Sequence, residues 1–241
     1  MQGGIYVGLS GQLAFYRRLE TIAHNVANGS TAGFRAEEVK FETLLSRVPT
    51  NPVAFASRGD TYLSRRAGDV VRTDNPFDVA VQGDAWLSID IGGQQIYTRD
   101  GRMMMTPEGQ LQTLNGYPVL DVGGAPIQLN AGGGAPQIGR DGAISQNGQR
   151  QGVIGLFRID EDAGLTRAEN AGVIPDRDAV PALDFSSVGL LQGFTEGGNV
   201  NPVLEITRLI NIHRSFEALT NALDLEDGTF RSAIRELGPN A

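Results

Sequence analysis

The side chains that most often carry covalent, acid–base or metal chemistry are scarce here. The chain has two histidines, His24 and His213, one lysine, Lys40, and no cysteine. The lack of cysteine excludes disulfides, thiolate zinc sites and thiol nucleophiles. A single lysine confines Schiff-base and phosphate-loop lysine chemistry to one position. Gly8-Leu9-Ser10-Gly11 stops short of a nucleophile elbow, because Gln12 stands where glycine is required. Gly132-Gly133-Gly134 does not continue into a dinucleotide fingerprint, since Gln137 takes the last place. Asn28-Gly29-Ser30 matches a glycosylation sequon but also supplies a helix stop, the reading preferred here. Carboxylates are plentiful, yet no spacing singles out a hydrolytic pair. The two histidines fall one in each terminal helical pattern and are read as helix-surface or seam residues. No catalytic, cofactor-binding or metal-ligating residue is assigned, and no cofactor.

Charge narrows the partners. A net charge of −8 argues against nucleic acid, whose phosphates need clustered Lys and Arg, and against an anionic membrane surface. No run approaches the roughly 18 consecutive apolar residues of a membrane helix. The opening MQGGIYVGLSGQ lacks the basic and apolar regions of a secretory signal, so the expectation is a cytoplasmic chain unless a specialised exporter takes it.

The elements that hold these residues are helical at the ends. An apolar stripe runs through Ile5, Leu9, Tyr16, Leu19, Ala23 and Val26, predicting a helix over Gly4 to Asn28. Gly3, Gly4, Gly8 and Gly11 weaken its first turns by up to ~1 kcal/mol each relative to alanine. A second stripe runs through Ile206, Leu209, His213, Phe216, Thr220, Leu223, Asp227, Phe230, Ile234 and Leu237. Its spacing alternates three and four residues, one seam of a long helix. Asn201 is a candidate cap, Pro202 suits the first turn and Glu205 complements the helix dipole. Gly238-Pro239 ends the pattern, and Asp227-Gly228 is expected to kink or break it.

The middle reads differently. Residues 31–74 form a mixed, partly extended connector containing Phe34 and Pro49-Thr50-Asn51-Pro52. From Asn75, Leu87, Ile89 and Ile91 alternate with Trp86, Ser88 and Asp90, the period of a half-buried strand. Turn pairs follow at Asp100-Gly101, Asn115-Gly116, Asp141-Gly142 and Asn147-Gly148. The predicted fold class is α+β. Terminal segments 1–30 and 201–241 form a coiled-coil-like helical layer, and 75–200 a β-rich antiparallel domain.

Helices of this kind need a surface to pack on. Ordering the second costs ~1–2 kcal/mol per residue in backbone entropy, more than its seam returns alone. Ordinary packing on the β body would supply such a surface. Against that stand His213, Thr220 and Asp227, polar at every seventh seam position, a device that fixes register and partner in helical assemblies. Assembly is the preferred reading.

Four segments then resemble bacterial flagellar rod and hook proteins. Asn25-Val26-Ala27-Asn28-Gly29-Ser30-Thr31-Ala32-Gly33-Phe34-Arg35 is similar to their N-terminal signature. Asn75-Pro76-Phe77-Asp78-Val79-Ala80-Val81-Gln82-Gly83-Asp84 resembles their N-P-L-D segment. Tyr97-Thr98-Arg99-Asp100-Gly101 and Asn115-Gly116-Tyr117-Pro118 follow in the family's order. Gly193-Phe194-Thr195-Glu196-Gly197-Gly198-Asn199-Val200-Asn201 resembles the segment leading into the last helix. His24, Ala32 and Trp86-Leu87 depart from the pattern and bear on subtype only.

The resemblance implies a non-enzymatic structural subunit, most similar to the proximal rod type, with the distal type as the alternative. It implies export through the flagellar type III apparatus without a cleaved signal, and assembly in the periplasm into a tube that transmits torque. Expected partners are other rod subunits, copies of itself and the export apparatus, with no nucleic acid and no lipid insertion. The expected assembly interface is Ile5, Leu9, Tyr16, Leu19, Val26, Asn28, Phe34, Ile206, Leu209, His213, Phe216, Leu223, Phe230 and Ile234. A secreted β-domain binding module or hydrolase remains the reading from another class.

Overall fold

The computed structural model describes residues 2–40, 43–45, 54–56 and 59–237. Side chains of 2–6, 43–45, 54–56, 226–227, 230–231, 233–234 and 236–237 fall outside that description. Helix α1 spans Gln2–Asn28 and helix α2 spans Pro202–Leu237, with strands between them. The fold is α+β, and its named strand pairs are antiparallel. Among the described residues no helix is long and apolar enough to cross a membrane. The chain divides into two compact units. One holds residues 1–27, 37–61 and 201–241; the other holds 28–36 and 62–200.

Both helix ends follow from local chemistry. Asn201 caps α2: its Oδ1 accepts from Leu204 N at 3.1 Å, and its carbonyl accepts from Glu205 N at 3.0 Å. At the end of α1 the Asn28 carbonyl accepts from Thr31 N at 2.9 Å. The break expected at Asp227-Gly228 is absent, and α2 continues through both. One interior glycine costs only ~1 kcal/mol, and glycine, unlike proline, keeps its backbone donor.

The run 31–74 carries strands Glu37–Lys40, Thr43–Leu45, Ala54–Ala56, Asp60–Leu63 and Val70–Arg72, and it contributes to both units. Pro49-Thr50-Asn51-Pro52 lies outside the described residues. In the helical unit Asn25 is 3% exposed, with Nδ2 donating to Glu37 O at 2.8 Å and Oδ1 accepting from Glu37 N at 2.9 Å. One side chain thus completes both backbone groups of Glu37, as a neighbouring strand would.

The second unit is the β body. Its largest sheet has six strands in the order Leu165–Arg167, Gly172–Pro175, Gln94–Thr98, Trp86–Ile91, Leu156–Arg158, Val180–Pro181. The strand Trp86–Ile91 is buried on both faces over its first four residues, which corrects the half-buried reading. Leu87 and Ile89 enter a large core with Leu111, Val119, Ile144 and Ile154. Trp86 enters a second core with Tyr97, Phe157, Ile159 and Val173. The intervening Ser88 tolerates burial because its Oγ accepts from Gln95 Nε2 at 2.9 Å.

Turn chemistry is mixed. Asn147 and Gly148, at φ 49° and 74°, make the tight hairpin between Ala143–Gln146 and Gln149–Val153. Asp100-Gly101 is no hairpin tip. Asp100 is 4% exposed and pairs with Arg102 at 2.8 Å, and Gly101 O accepts from Val79 N at 2.9 Å.

Candidate functional site

Within the helical unit, α1 and α2 meet through small residues on α1. A Cβ added to Gly8 would lie 2.3 Å from Leu223 Cδ2, and one on Gly11 would lie 3.1 Å from Leu219 Cδ2. Next to them Gln12 Nε2 donates to Thr220 Oγ1 at 3.2 Å. Toward the other end, Leu19 borders an open cleft of about 400 Å³ with Leu209, Ile210, His213, Arg214 and Glu217. Low numbers on α1 thus face high numbers on α2, so the two helices run antiparallel. Glycines that weaken α1 as an isolated helix are what let Leu219 and Leu223 approach its backbone.

The α2 face turned inward differs by one position from the seam read in sequence. Leu209, Phe216, Leu219 and Leu223 are half-buried, and Ile212 is 7% exposed. Ile206 and His213 are exposed, and His213 Nε2 lies 3.3 Å from Glu217 Oε1. Leu209, Phe216 and Leu223 belong to both stripes, because residues seven apart share a face. Ile212 buries where His213 stays in water, because imidazole is costly to desolvate, while Thr220 is half-buried beside Leu219 with its hydroxyl accepting from Gln12.

Both helices also expose large apolar side chains at helical spacing. On α1 these are Leu9, Leu13 and Tyr16, exposed by 48%, 59% and 57%. On α2 they are Val203, Ile206 and Ile210, exposed by 76%, 46% and 48%. Spacings of three and four residues align each trio along one stripe. Of the expected interface residues, Leu9, Tyr16, Ile206 and His213 are exposed, while Leu19, Val26, Asn28, Leu209, Phe216 and Leu223 are half-buried. The side chains of Ile5, Phe230 and Ile234 lie outside the described residues. Phe34 is 3% exposed, with the Arg167 guanidinium 4.4 Å from its ring centroid, so its own chain already covers it.

Phe34 leads into a buried junction inside the β body. Arg35 Nη2 sits 2.7 Å from Glu196 Oε1, with both side chains 1% exposed. Arg99 Nε sits 3.2 Å from Glu196 Oε2. Both guanidinium carbons lie 5.6 Å from the Trp86 ring centroid, within cation–π range. Arg99 also donates from Nη1 to Ala85 O at 2.5 Å and from Nη2 to Gly83 O at 2.9 Å. Burial pulls the Arg99 guanidinium down to about 10; Glu196 opposes that and Arg35 adds to it.

Asn199 fastens the same place through backbone. Its N donates to Phe34 O at 3.1 Å, its Oδ1 accepts from Ala36 N at 2.6 Å, and its Nδ2 donates to Arg66 O at 2.8 Å. Segments that resembled one family in sequence thus converge on one internal junction. Sequence reading quoted Arg35, Arg99 and Glu196 only as letters in motifs. Their pairing has no signal in a single chain, because no spacing rule links residues 35, 99 and 196. Leu13 and Ile210 were left out of stripes that did include Leu9, Tyr16 and Ile206, their neighbours on the same exposed faces. Among the described residues no group of His, Cys, Asp and Glu could hold a metal ion.

Comparison with known proteins agrees with this geometry. The family described as flagella basal body rod protein matches residues 5–35. The FlgE/F/G hook-protein D1 domain matches 80–146, and the C-terminal family of flagellar basal body rod FlgEFG proteins matches 191–236. The chain is 49% identical over 238 residues to the basal-body rod protein FlgF of Mesorhizobium japonicum, covering 99% of each. It is 45% identical to FlgF of Rhizobium meliloti over the same share of both chains. To the rod protein FlgG of Bacillus subtilis it is 28% identical, over 97% of this chain and 98% of that one. Family members are structural rod proteins, not enzymes. The chain belongs to the flagellar basal-body rod protein family and within it is most like FlgF.

Proposed function

We propose that this chain is a structural subunit of the proximal flagellar rod, joined to copies of itself and to homologous rod proteins through its terminal helices. The observation that carries the reading is the pair of exposed apolar stripes, Leu9-Leu13-Tyr16 and Val203-Ile206-Ile210. Fully burying such a side chain is worth ~1.5–3 kcal/mol, so leaving both trios in water forfeits several kcal/mol that a neighbouring subunit recovers. Head-to-tail contacts between such subunits need not close into a ring and can propagate as a helical tube. In this reading residues 1–30 and 201–241 form the assembly domain with a coiled-coil-like inner layer, and 75–200 the outer domain. The subunit leaves the cytoplasm through the flagellar export apparatus without a cleaved signal, assembles in the periplasm and carries torque.

Half-buried Leu209, Phe216 and Leu223 then serve the pairing of α1 with α2 inside the subunit, and the exposed trios serve neighbours. The test is photo-crosslinking from position 13 in flagellated cells. Adducts with rod proteins are expected. Normal rods and swimming in a Leu13→Asp, Ile210→Asp double variant would sink the proposal.

A further inference from the structure

Glu196 is the one carboxylate among the described residues in ion-pair contact with both buried guanidiniums, at 2.7 Å from Arg35 and 3.2 Å from Arg99. Its Oε1 also accepts from Gly68 N at 2.9 Å, and its main-chain oxygen accepts from Gly33 N at 2.8 Å. Asp84, the other acid that acts on Arg99, is exposed. Without Glu196, two like charges would remain beside one indole, with side chains 1% and 5% exposed. Removing one partner of a buried ion pair is strongly unfavourable because the charge left behind has neither water nor counter-ion. Here it would leave two.

The participants come from distant parts of the chain. Arg35 follows α1, Trp86 and Arg99 lie in the middle, and Glu196 stands just before α2. A chain made from its N-terminus therefore presents both cations and the indole before the anion that reconciles them. We propose that Glu196 is the closing contact of the β body: Arg35 and Arg99 settle against Trp86 only when the segment leading into α2 docks. Until then the body stays open at this junction. Asn199 secures the docked segment through Phe34 O, Ala36 N and Arg66 O. The junction lies wholly within one unit, so this closure is independent of what the helices bind.

Trp86 is the only tryptophan, so its emission reads the junction directly. The experiment is refolding of the full chain from urea, followed by Trp86 fluorescence and by far-UV circular dichroism. In the unaltered chain, native Trp86 emission should appear in the slowest phase, after most of the dichroism has returned. Glu196→Gln keeps the shape and removes the charge. It should slow the Trp86 phase at least tenfold and leave the early dichroism phase unchanged. Arg35→Met combined with Glu196→Gln removes one stranded cation and should recover much of the lost rate. Native Trp86 emission in the earliest phase, or at equal rates with and without Glu196→Gln, would overturn the proposal. If Glu196→Gln never regains native emission, the double variant decides. Recovery supports charge stranding, and continued failure rejects it.

Discussion

In the β body, Leu111 and Ile144 are fully buried and Ile154 is 1% exposed, and even its charges, Arg35 and Glu196, are turned inward and paired. In the helical unit the ratio is reversed. Ile212 and Ile22 are buried, while Leu9, Leu13, Tyr16, Val203, Ile206, Ile210 and Leu225 stand in water. The body exposes scattered apolar side chains too, Leu183 at 85% among them, but it also has two large buried cores, whereas the helical unit buries few and aligns its exposed ones in stripes. Damage to the first should therefore show in the isolated chain, and damage to the second chiefly in the assembly.

The sharpest way to break that contrast is to hollow the body. Leu111→Ala removes a fully buried side chain from the larger core and should cost ~2–5 kcal/mol, the range for large-to-small core changes. Urea unfolding of the purified chain measures it. A cost under about 1 kcal/mol would mean that the core is loosely packed and the contrast overstated.

A smaller effect is expected where the helices touch. Gly8→Val puts branched carbon where a Cβ alone would lie 2.3 Å from Leu223 Cδ2. Overpacking of this sort costs ~1–3 kcal/mol, lowered here by the flexibility of the leucine end. Leu223→Ala in the same chain should return part of the loss. If Gly8→Val alone raises helical stability, the close approach of α2 to α1 is not maintained in solution.

Smaller again is an alkaline effect in the body. Burial, with Asp178 nearby, raises the Tyr97 phenol above its usual 10. A group whose folded pKa is raised binds its proton more tightly when folded. Its contribution is complete below pH 10 and is lost as pH rises through the higher folded value. Tyr97→Phe should flatten the fall in stability above pH 10 and change little at pH 7. An unchanged alkaline slope would assign the fall to other groups.

Legibility in sequence followed the range of the interactions. The Asn201 cap, the Asn28 stop and the Asn147-Gly148 hairpin depend on a few neighbouring residues, and each could be read directly. The hairpin at Gly92-Gly93, with φ 64° and 85°, was equally local but was passed over among many glycines. Burial of Trp86 and Ser88 depends on a second layer from distant segments, so period alone assigned one face to water. Along the α2 seam, Leu209, Phe216, Thr220 and Leu223 are half-buried, while Ile206 and His213 stand in water and Ile212 and Leu219, off the seam, turn inward. Heptad spacing defines two flanks equally well, and only the partner helix selects one. The Arg35–Glu196–Arg99 junction was illegible because two charges far apart in sequence carry no mark of facing each other.

The smallest expected effect on the isolated chain is also the most diagnostic. Leu13 is 59% exposed on α1, between Leu9 and Tyr16 on the same stripe. Leu13→Asp touches no buried group, and surface substitutions of this kind usually stay within ±0.5 kcal/mol. The carboxylate also falls mid-helix, where the macrodipole has little effect. Circular dichroism and urea unfolding should therefore match the unaltered chain. In an assembled rod the same carboxylate would enter a desolvated contact at a cost of several kcal/mol, repeated in every subunit. Swimming should be lost while the level of the protein in the cell stays near normal. Loss of both folding and swimming would place Leu13 in the chain's own core. Normal swimming would mean that this face of α1 stays in water, and that the contrast between a finished body and an unfinished helix pair does not extend to assembly.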